Sequence, residues 1–400
     1  MLFLEILYYL LAAAFGFFLL FPFLEVVAER LSYRPPVYAN QLRPYDYACL
    51  ITAYENSEIT KPGVRSLLAQ RYPNFHIYLV ADGCDVRDYH ISDKKFMLLR
   101  PGKPLNLKAK SIIHATEKFV RKHDFIIIFD ADNVAHPDFL ENINREVNLG
   151  YRAVQGQRTA KNVETGYAGA DSLGEYYKNY VERLVPPRLG SSAVISGSGM
   201  AVERKLYLHY LNGKEIQTGK HKWKKMLQED KILQNFLLDR KHRIGFCQDA
   251  IVFDEKVSDG EAVTTQRSRW LYSYFQNTPN SSRILRRGLF GGNWNQFLFG
   301  LITIAPPLFL LVGFSGLLMV LGLLINPWVS LALAIGLFIF AANVLWTLKL
   351  SGAPGAVFRA VWSTPKFIYR QILGLFKMIN PNKNFKHTEH KVAVEAKDLG

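Results

Sequence analysis

Carboxylates that end apolar runs are the residues best suited to chemistry in this chain. Asp130-Ala131-Asp132 directly follows the run Phe125-Ile-Ile-Ile-Phe129. Two acids at i and i+2 on an extended backbone point the same way, so they can share one hard cation, Mg²⁺ or Mn²⁺, through oxygen ligands. Alone, such a pair more often caps the next helix. Two earlier apolar runs also end in carboxylates, and that context favours a site. The first delivers Thr52-Ala53-Tyr54-Glu55, the second Asp82-Gly83-Cys84-Asp85, whose glycine permits a sharp turn. Farther on, the glycines of Gly197-Ser198-Gly199-Met200 would let a ligand approach the backbone, although a plain turn would also account for them. Glu229 and Asp230 open the run Lys231–Leu238, where acids suit the first turn of a helix as caps or as reactive groups. In Gln266-Arg267-Ser268-Arg269-Trp270 a guanidinium sits beside an indole. Arginine can clamp a phosphate and tryptophan can stack on a sugar face; the alternative is a pair of lipid-interface anchors.

These residues need elements to hold them. From about residue 45 to 160 short apolar runs alternate with amphipathic stretches, the pattern of a parallel sheet covered by helices in an α/β domain. Strands are expected at Tyr47–Ala53, His76–Ala81, Phe125–Phe129 and Ala153–Gln157, with helices starting near Pro62, near Leu105 and at Pro137. In such open sheets ligands bind at the carboxyl ends of the strands, where the acids above collect.

Composition adds a membrane. Apolar residues make up 49% of the 400 and charged residues 21%, which fits a polar domain joined to membrane spans. Leu2–Val27 lacks a basic start and an obvious cleavage site, so it reads as an uncleaved anchor. Two more spans are expected at Phe297–Ile325 and Trp328–Leu348, separated by Asn326-Pro327. Arg30, Arg34, Arg283, Arg286, Arg287, Lys349 and Arg359 flank the spans on one side and orient the large domain to the cytoplasm. The resulting organisation is an anchor over residues 1–30, a catalytic domain over 45–280, two spans over 297–348, a basic amphipathic interfacial helix over 354–380 and a polar tail over 381–400. The net charge of +15 suits anionic lipid and a phosphate-bearing substrate. Nucleic acid is disfavoured, because the basic residues cluster beside the spans and no nucleic-acid motif is present. Cys49, Cys84 and Cys247 show no paired or metal-ligand spacing and suit a reducing compartment.

The ordered set Asp82, Asp130-Ala131-Asp132, Glu229-Asp230 and Gln266-x-x-Arg269-Trp270 resembles the membrane-bound family-2 glycosyltransferases of GT-A fold, the group of cellulose, chitin and hyaluronan synthases. The resemblance covers about residues 46–275 and implies a Rossmann-like GT-A domain plus transmembrane helices. It implies that Ala53, Glu55 and Asp82 contact the nucleotide, and that Lys108, Asp130 and Arg269 serve the donor. Asp132 would hold the metal. Asp230 corresponds to the catalytic base with Glu229 beside it, while Gly197, Ser198, Gly199, Met200, Gln266 and Trp270 correspond to the acceptor side. Thr52 stands where the family usually has proline, and Lys110 competes with Lys108 for the phosphate role.

A lone base without a second nucleophilic carboxylate implies direct displacement with inversion, from a nucleotide-sugar donor expected to be UDP-linked. The acceptor is expected to be a growing poly- or oligosaccharide at the inner face of a bacterial plasma membrane, with single-sugar transfer to a lipid as the alternative. A transporter would need ionisable residues within its spans, and 297–348 has none. A degenerate scaffold should have lost some of the acids. Sugar, linkage and oligomeric state are left open.

Overall fold

The computed structural model describes residues 2–222 and 227–378. Eight strands, β1 (Tyr47–Tyr54), β2 (Phe75–Asp82), β3 (Phe96–Leu99), β4 (Phe125–Asp130), β5 (Val134–Ala135), β6 (Ala153–Ala160), β7 (Met200–Glu203) and β8 (Ile244–Asp254), form one sheet. Their order is β3-β2-β1-β4-β7-β6-β8-β5. β3, β2, β1 and β4 run parallel, as do β6 and β8, while β7 is antiparallel to both β4 and β6. This is the mostly parallel, Rossmann-like sheet expected of a GT-A domain. The four expected strands are present. The missed ones are short (β3, β5, β7) or, in β8, interrupted by Gln248-Asp249.

Alternation along the central strands builds two cores. Ala48, Leu50, Ile126 and Ile128 face one side with Ala109 and Ile112 of the helix Lys108–Thr116. Their neighbours Cys49, Ile51, Ile127 and Phe129 face the other, against Val64, Leu67, Phe139 and Ile143. Each such aliphatic or aromatic side chain contributes about 1.5–3 kcal/mol by leaving water, so Ile127→Ala would cost about 2–5 kcal/mol once the cavity is included. β2 has all eight residues buried and needs helices on both faces. The helix expected near Leu105 starts at Lys108, and the one placed at Pro137 starts at Phe139.

Three helices are long and apolar enough to cross a membrane: Leu2–Ser32, Leu308–Ile325 and Pro327–Leu350. They approach through small residues, with Gly16 under Leu333, Gly336 against Leu19 and Gly322 against the Tyr8 hydroxyl. The first, at 31 residues, is about 46 Å long, so its last turns outrun a hydrocarbon core of about 30 Å. That surplus enters the domain: Glu29, 1% exposed, accepts from Arg188 at 2.7 Å and from Tyr180 at 3.4 Å. The single span expected from Phe297 to Ile325 is broken. Pro306 and Pro307 end the helix Trp294–Ile304 and delay the next to Leu308, because neither proline has an N–H to continue the ladder. The Trp294–Ile304 helix packs instead on the helix Gly260–Phe290, where an added Cβ on Gly300 would fall 2.5 Å from the Leu285 backbone.

The amphipathic C-terminal segment forms the helix Thr364–Phe376, preceded by the short helix Gly355–Arg359. Phe367 is buried, while Trp362, Tyr369, Ile372 and Phe376 are exposed. Ile379 and the tail over 381–400 lie outside the described residues. All three cysteines are free, with Cys49 and Cys247 buried.

Candidate active site

Four chain segments meet at the carboxyl end of β4. Asp130 ends that strand, and a turn follows in which the Asn133 side chain accepts from the Asp130 N–H at 2.9 Å and the Asn133 N–H donates to the Asp130 carbonyl at 3.1 Å. The acid pair is therefore presented by a turn, not by strand alternation as its spacing suggested. Lys108, the first residue of its helix, places Nζ 2.6 Å from Asp130 Oδ1, 3.1 Å from the Gly197 carbonyl and 3.6 Å from Glu229 Oε1. Gly197 has φ +89° and lies against the next acid: a Cβ built on it would be 3.6 Å from Asp230 Oδ2. Lys108, Asp130, Gly197, Glu229 and Asp230 thus form one cluster.

Burial and charge set the protonation of this cluster. Burial opposes the charge on Lys108, but the Asp130 and Glu229 carboxylates outweigh it and hold the ammonium above the usual lysine range. Burial pushes Glu229 up; Lys108 pulls it back and Asp230 adds to the rise. Glu229 opens the helix Glu229–Asp239, its carbonyl held by the Tyr210 hydroxyl at 2.5 Å.

Asp132 is 5% exposed, with Oδ2 accepting from the Glu255 N–H just past β8 at 2.8 Å. Its carbonyl accepts from Lys161 Nζ, a lysine whose pKa burial lowers. On the opposite flank both Asp82 oxygens are engaged by backbone, accepting from Leu105 N at 2.6 Å and Asn106 N at 2.7 Å. The Glu55 N–H donates to the Asp82 carbonyl at 3.0 Å, and Tyr54 OH donates to Asn106 Oδ1 at 3.0 Å. Ala53, Glu55 and Asp82 therefore form a ledge on the ends of β1 and β2. Asp82 shapes that ledge by holding the 105–106 loop.

Of the glycine-rich turn, Gly197 reaches the acids. Ser198 and Met200 are buried, and Met200 begins β7 between β4 and β6, so neither of these two expected acceptor residues is presented at the surface of the site. The Gly199 N–H donates to the Ile128 carbonyl at 2.8 Å, which ties the turn to β4. Gln266, Arg269 and Trp270 lie on the Gly260–Phe290 helix. That helix starts six residues beyond β8 and later contacts Gln228, which donates to Gln276 at 2.6 Å and directly precedes Glu229. Trp270 is 41% exposed, and its ring is covered at 4.3 Å by Arg267, which pairs with Asp171. Burial lowers the Arg269 pKa.

Sequence reasoning missed Asn106, Lys161, Asp171 and Glu255. Glu255 acts through its backbone, and Asp171 through a partner 96 residues away, so neither carries a local signature. Asn133 was missed as well, although asparagine is a common turn residue whose side chain bonds nearby backbone, here the Asp130 N–H.

The family model described as "Glycosyltransferase like family 2" matches residues 44–273. This chain belongs to the family-2 glycosyltransferases. Its fold is shared by the mannosyltransferase PcManGT from Pyrobaculum calidifontis, solved in complex with GDP-Man and Mn²⁺. The two are 16% identical with a TM-score of 0.55, over 94% of this chain and 98% of that one. No curated protein matches this glycosyltransferase significantly in sequence.

Among the described residues no three His, Cys, Asp or Glu side chains gather as a metal cage. The hard oxygens of Asp130 and Asp132 still fit a divalent ion of the kind held by one or two carboxylates and completed by substrate phosphates.

Proposed function

We propose that the protein is an inverting, metal-dependent glycosyltransferase that takes a sugar from a nucleotide diphosphate donor to a hydroxyl presented at the inner face of the membrane. The observation that carries this reading is the Lys108 bridge, which sets Asp130 and Glu229 on one ammonium while Gly197 lies against Asp230. A cation and a second carboxylate side by side are what the transfer needs.

The nucleotide lies on the ledge of Ala53, Glu55 and Asp82, with the diphosphate towards Lys108, Asp130 and Arg269. Asp132, with Asp130, would hold Mg²⁺ or Mn²⁺, whose charge offsets the charge that builds on the leaving diphosphate. Asp230 accepts the acceptor O–H proton as that oxygen bonds the anomeric carbon from the face opposite the diphosphate. The carbon–oxygen bond to the diphosphate breaks, nucleoside diphosphate leaves and the anomeric centre inverts. Glu229 is engaged by Lys108, which leaves Asp230 the base. Gln266 and Trp270 would receive the acceptor, and Gly197 admits its hydroxyl to Asp230.

The exposure of Trp270, with Arg267 over one face of its ring, supports a growing saccharide as acceptor. The close glycine contacts among the three membrane helices support the second reading, one sugar placed on a lipid, since helices packed so tightly do not frame a channel. The positive charge beside the spans supports a cytoplasmic domain.

Purified protein with Mn²⁺ and a panel of UDP- and GDP-linked sugars, PcManGT's GDP-Man among them, tests the activity by nucleotide release. Product extraction then separates a lipid-soluble monoglycoside from a saccharide ladder. No release from any donor would overturn the proposal.

A further inference from the structure

Beneath the site lies a buried charge cluster that the mechanism above does not use. Arg158, on β6 just past the Gly156/Gln157 irregularity, sends its guanidinium two ways. Nη1 donates to the Ser196 carbonyl at 2.8 Å, and Nη2 pairs with Asp254 Oδ2. Asp254 also meets Lys256 Nζ at 3.0 Å; Lys256 meets Glu175 at 3.3 Å, and Arg183 meets Glu175 at 2.6 Å. The side chains of Asp254, Lys256, Glu175 and Arg183 are all under 10% exposed, and that of Arg158 is 15%. Asn179, first residue of a π-helical turn over Asn179–Leu184, holds the Arg158 carbonyl at 2.7 Å.

The two ends of the guanidinium lead to different halves of the site. Ser196 precedes Gly197, whose carbonyl accepts from Lys108 and whose Cα borders Asp230. Asp254 precedes Glu255, whose N–H holds the Asp132 carboxylate at 2.8 Å. One side chain therefore joins the turn that borders the base to the strand end that fixes the metal acid. A planar guanidinium forks to two acceptors at fixed angles, whereas an ammonium is a point charge. The ion pairs to Lys256 and Glu175 would keep the strand end in place without Arg158, but nothing else in the cluster reaches the Ser196 carbonyl.

We propose that Arg158 is a positioning residue that sets the spacing between the Asp132 half and the Asp230 half of the site. The inference rests on the proposed function for its catalytic consequence, not for the clamp itself. Arg158→Lys keeps the charge and loses the fork. Arg158→Gln removes the guanidinium and its charge together, and Asp254 keeps its pairing with Lys256 at 3.0 Å.

The test is made on the full chain in detergent, with two measurements. Hydrogen exchange at the amides of 196–200 should rise about tenfold in either variant, while the β1 and β2 peptides keep wild-type protection. In transfer assays kcat should fall about a hundredfold, as expected for a small misplacement of reacting groups. Binding of nucleotide with Mn²⁺ should stay within about threefold of wild type, because the Asp132 half remains held. Unchanged exchange at 196–200 in a folded variant overturns the clamp. A kcat within about threefold of wild type, with exchange raised, overturns its catalytic role. If the wild type transfers from no donor, the proposed function fails, and the exchange measurement still decides the clamp.

Discussion

Gly197→Ala against a matched control separates occupancy of the space beside Asp230 from backbone strain. Gly197 has φ +89°, a left-handed conformation that costs an L residue about 1–2 kcal/mol. Gly150, in the turn before β6, has φ +94°, and a Cβ there meets nothing within 4 Å. Alanine at either position should therefore cost the same strain, a fall in Tm of about 2–8 °C for a domain of this size. What differs is the added methyl. At Gly197 it would sit 3.6 Å from Asp230 Oδ2, an ordinary contact that needs no rearrangement but fills the approach to the carboxylate. A hydroxyl must come within about 2.6–3.2 Å of its base, so Gly197→Ala should lose much of a general-base contribution, about 10²-fold in turnover. Nucleotide affinity should stay within about threefold, since Lys108 and Asp130 are untouched. Thermal melts in detergent, nucleotide titration and transfer assays on both variants make the comparison. Equal turnover losses in Gly150→Ala and Gly197→Ala, or wild-type turnover in the latter, would refute the reasoning.

Asp230→Asn should cut transfer by at least about a hundredfold with donor affinity nearly unchanged, and retention of more than about a tenth of wild-type turnover would move the base to Glu229. Asp132→Asn should instead lower Mn²⁺-dependent nucleotide binding together with turnover, measured by titration with and without chelator. Glu229→Gln should show a pH-dependent stability gain. Because the folded pKa of Glu229 is raised, its contribution is fully present below the unfolded value and is lost as pH rises through the folded one. The variant should thus match wild type near pH 4 and melt higher near pH 8; a gain confined to acid pH would reverse the assignment. Cysteines placed at Trp362 and Phe376, both exposed on the C-terminal helical segment, should resist aqueous labelling in vesicles if that face lies on lipid. Full labelling at both sites would remove the interfacial placement.

The sequence by itself determined the α/β class, the four principal strands and three helices long and apolar enough to cross a membrane, because each is written in local periodicity and length. It also supplied the acids at 130, 132, 229 and 230 and the Arg269-Trp270 pair, since runs ending in carboxylates are visible without coordinates. The break at Ala305-Pro306-Pro307 was missed, because hydropathy does not register the proline pair. Only the tertiary structure decided which of these residues meet. Lys108 joins acids that lie 22 and 121 positions away from it, and no local signal encodes that convergence. The engagement of Asp82 by the 105–106 loop, the burial of Met200 and the Arg158 fork are likewise products of packing. Strand and helix patterns depend on neighbours a few residues apart. A site depends on side chains brought together by a sheet whose order departs from the order of the chain.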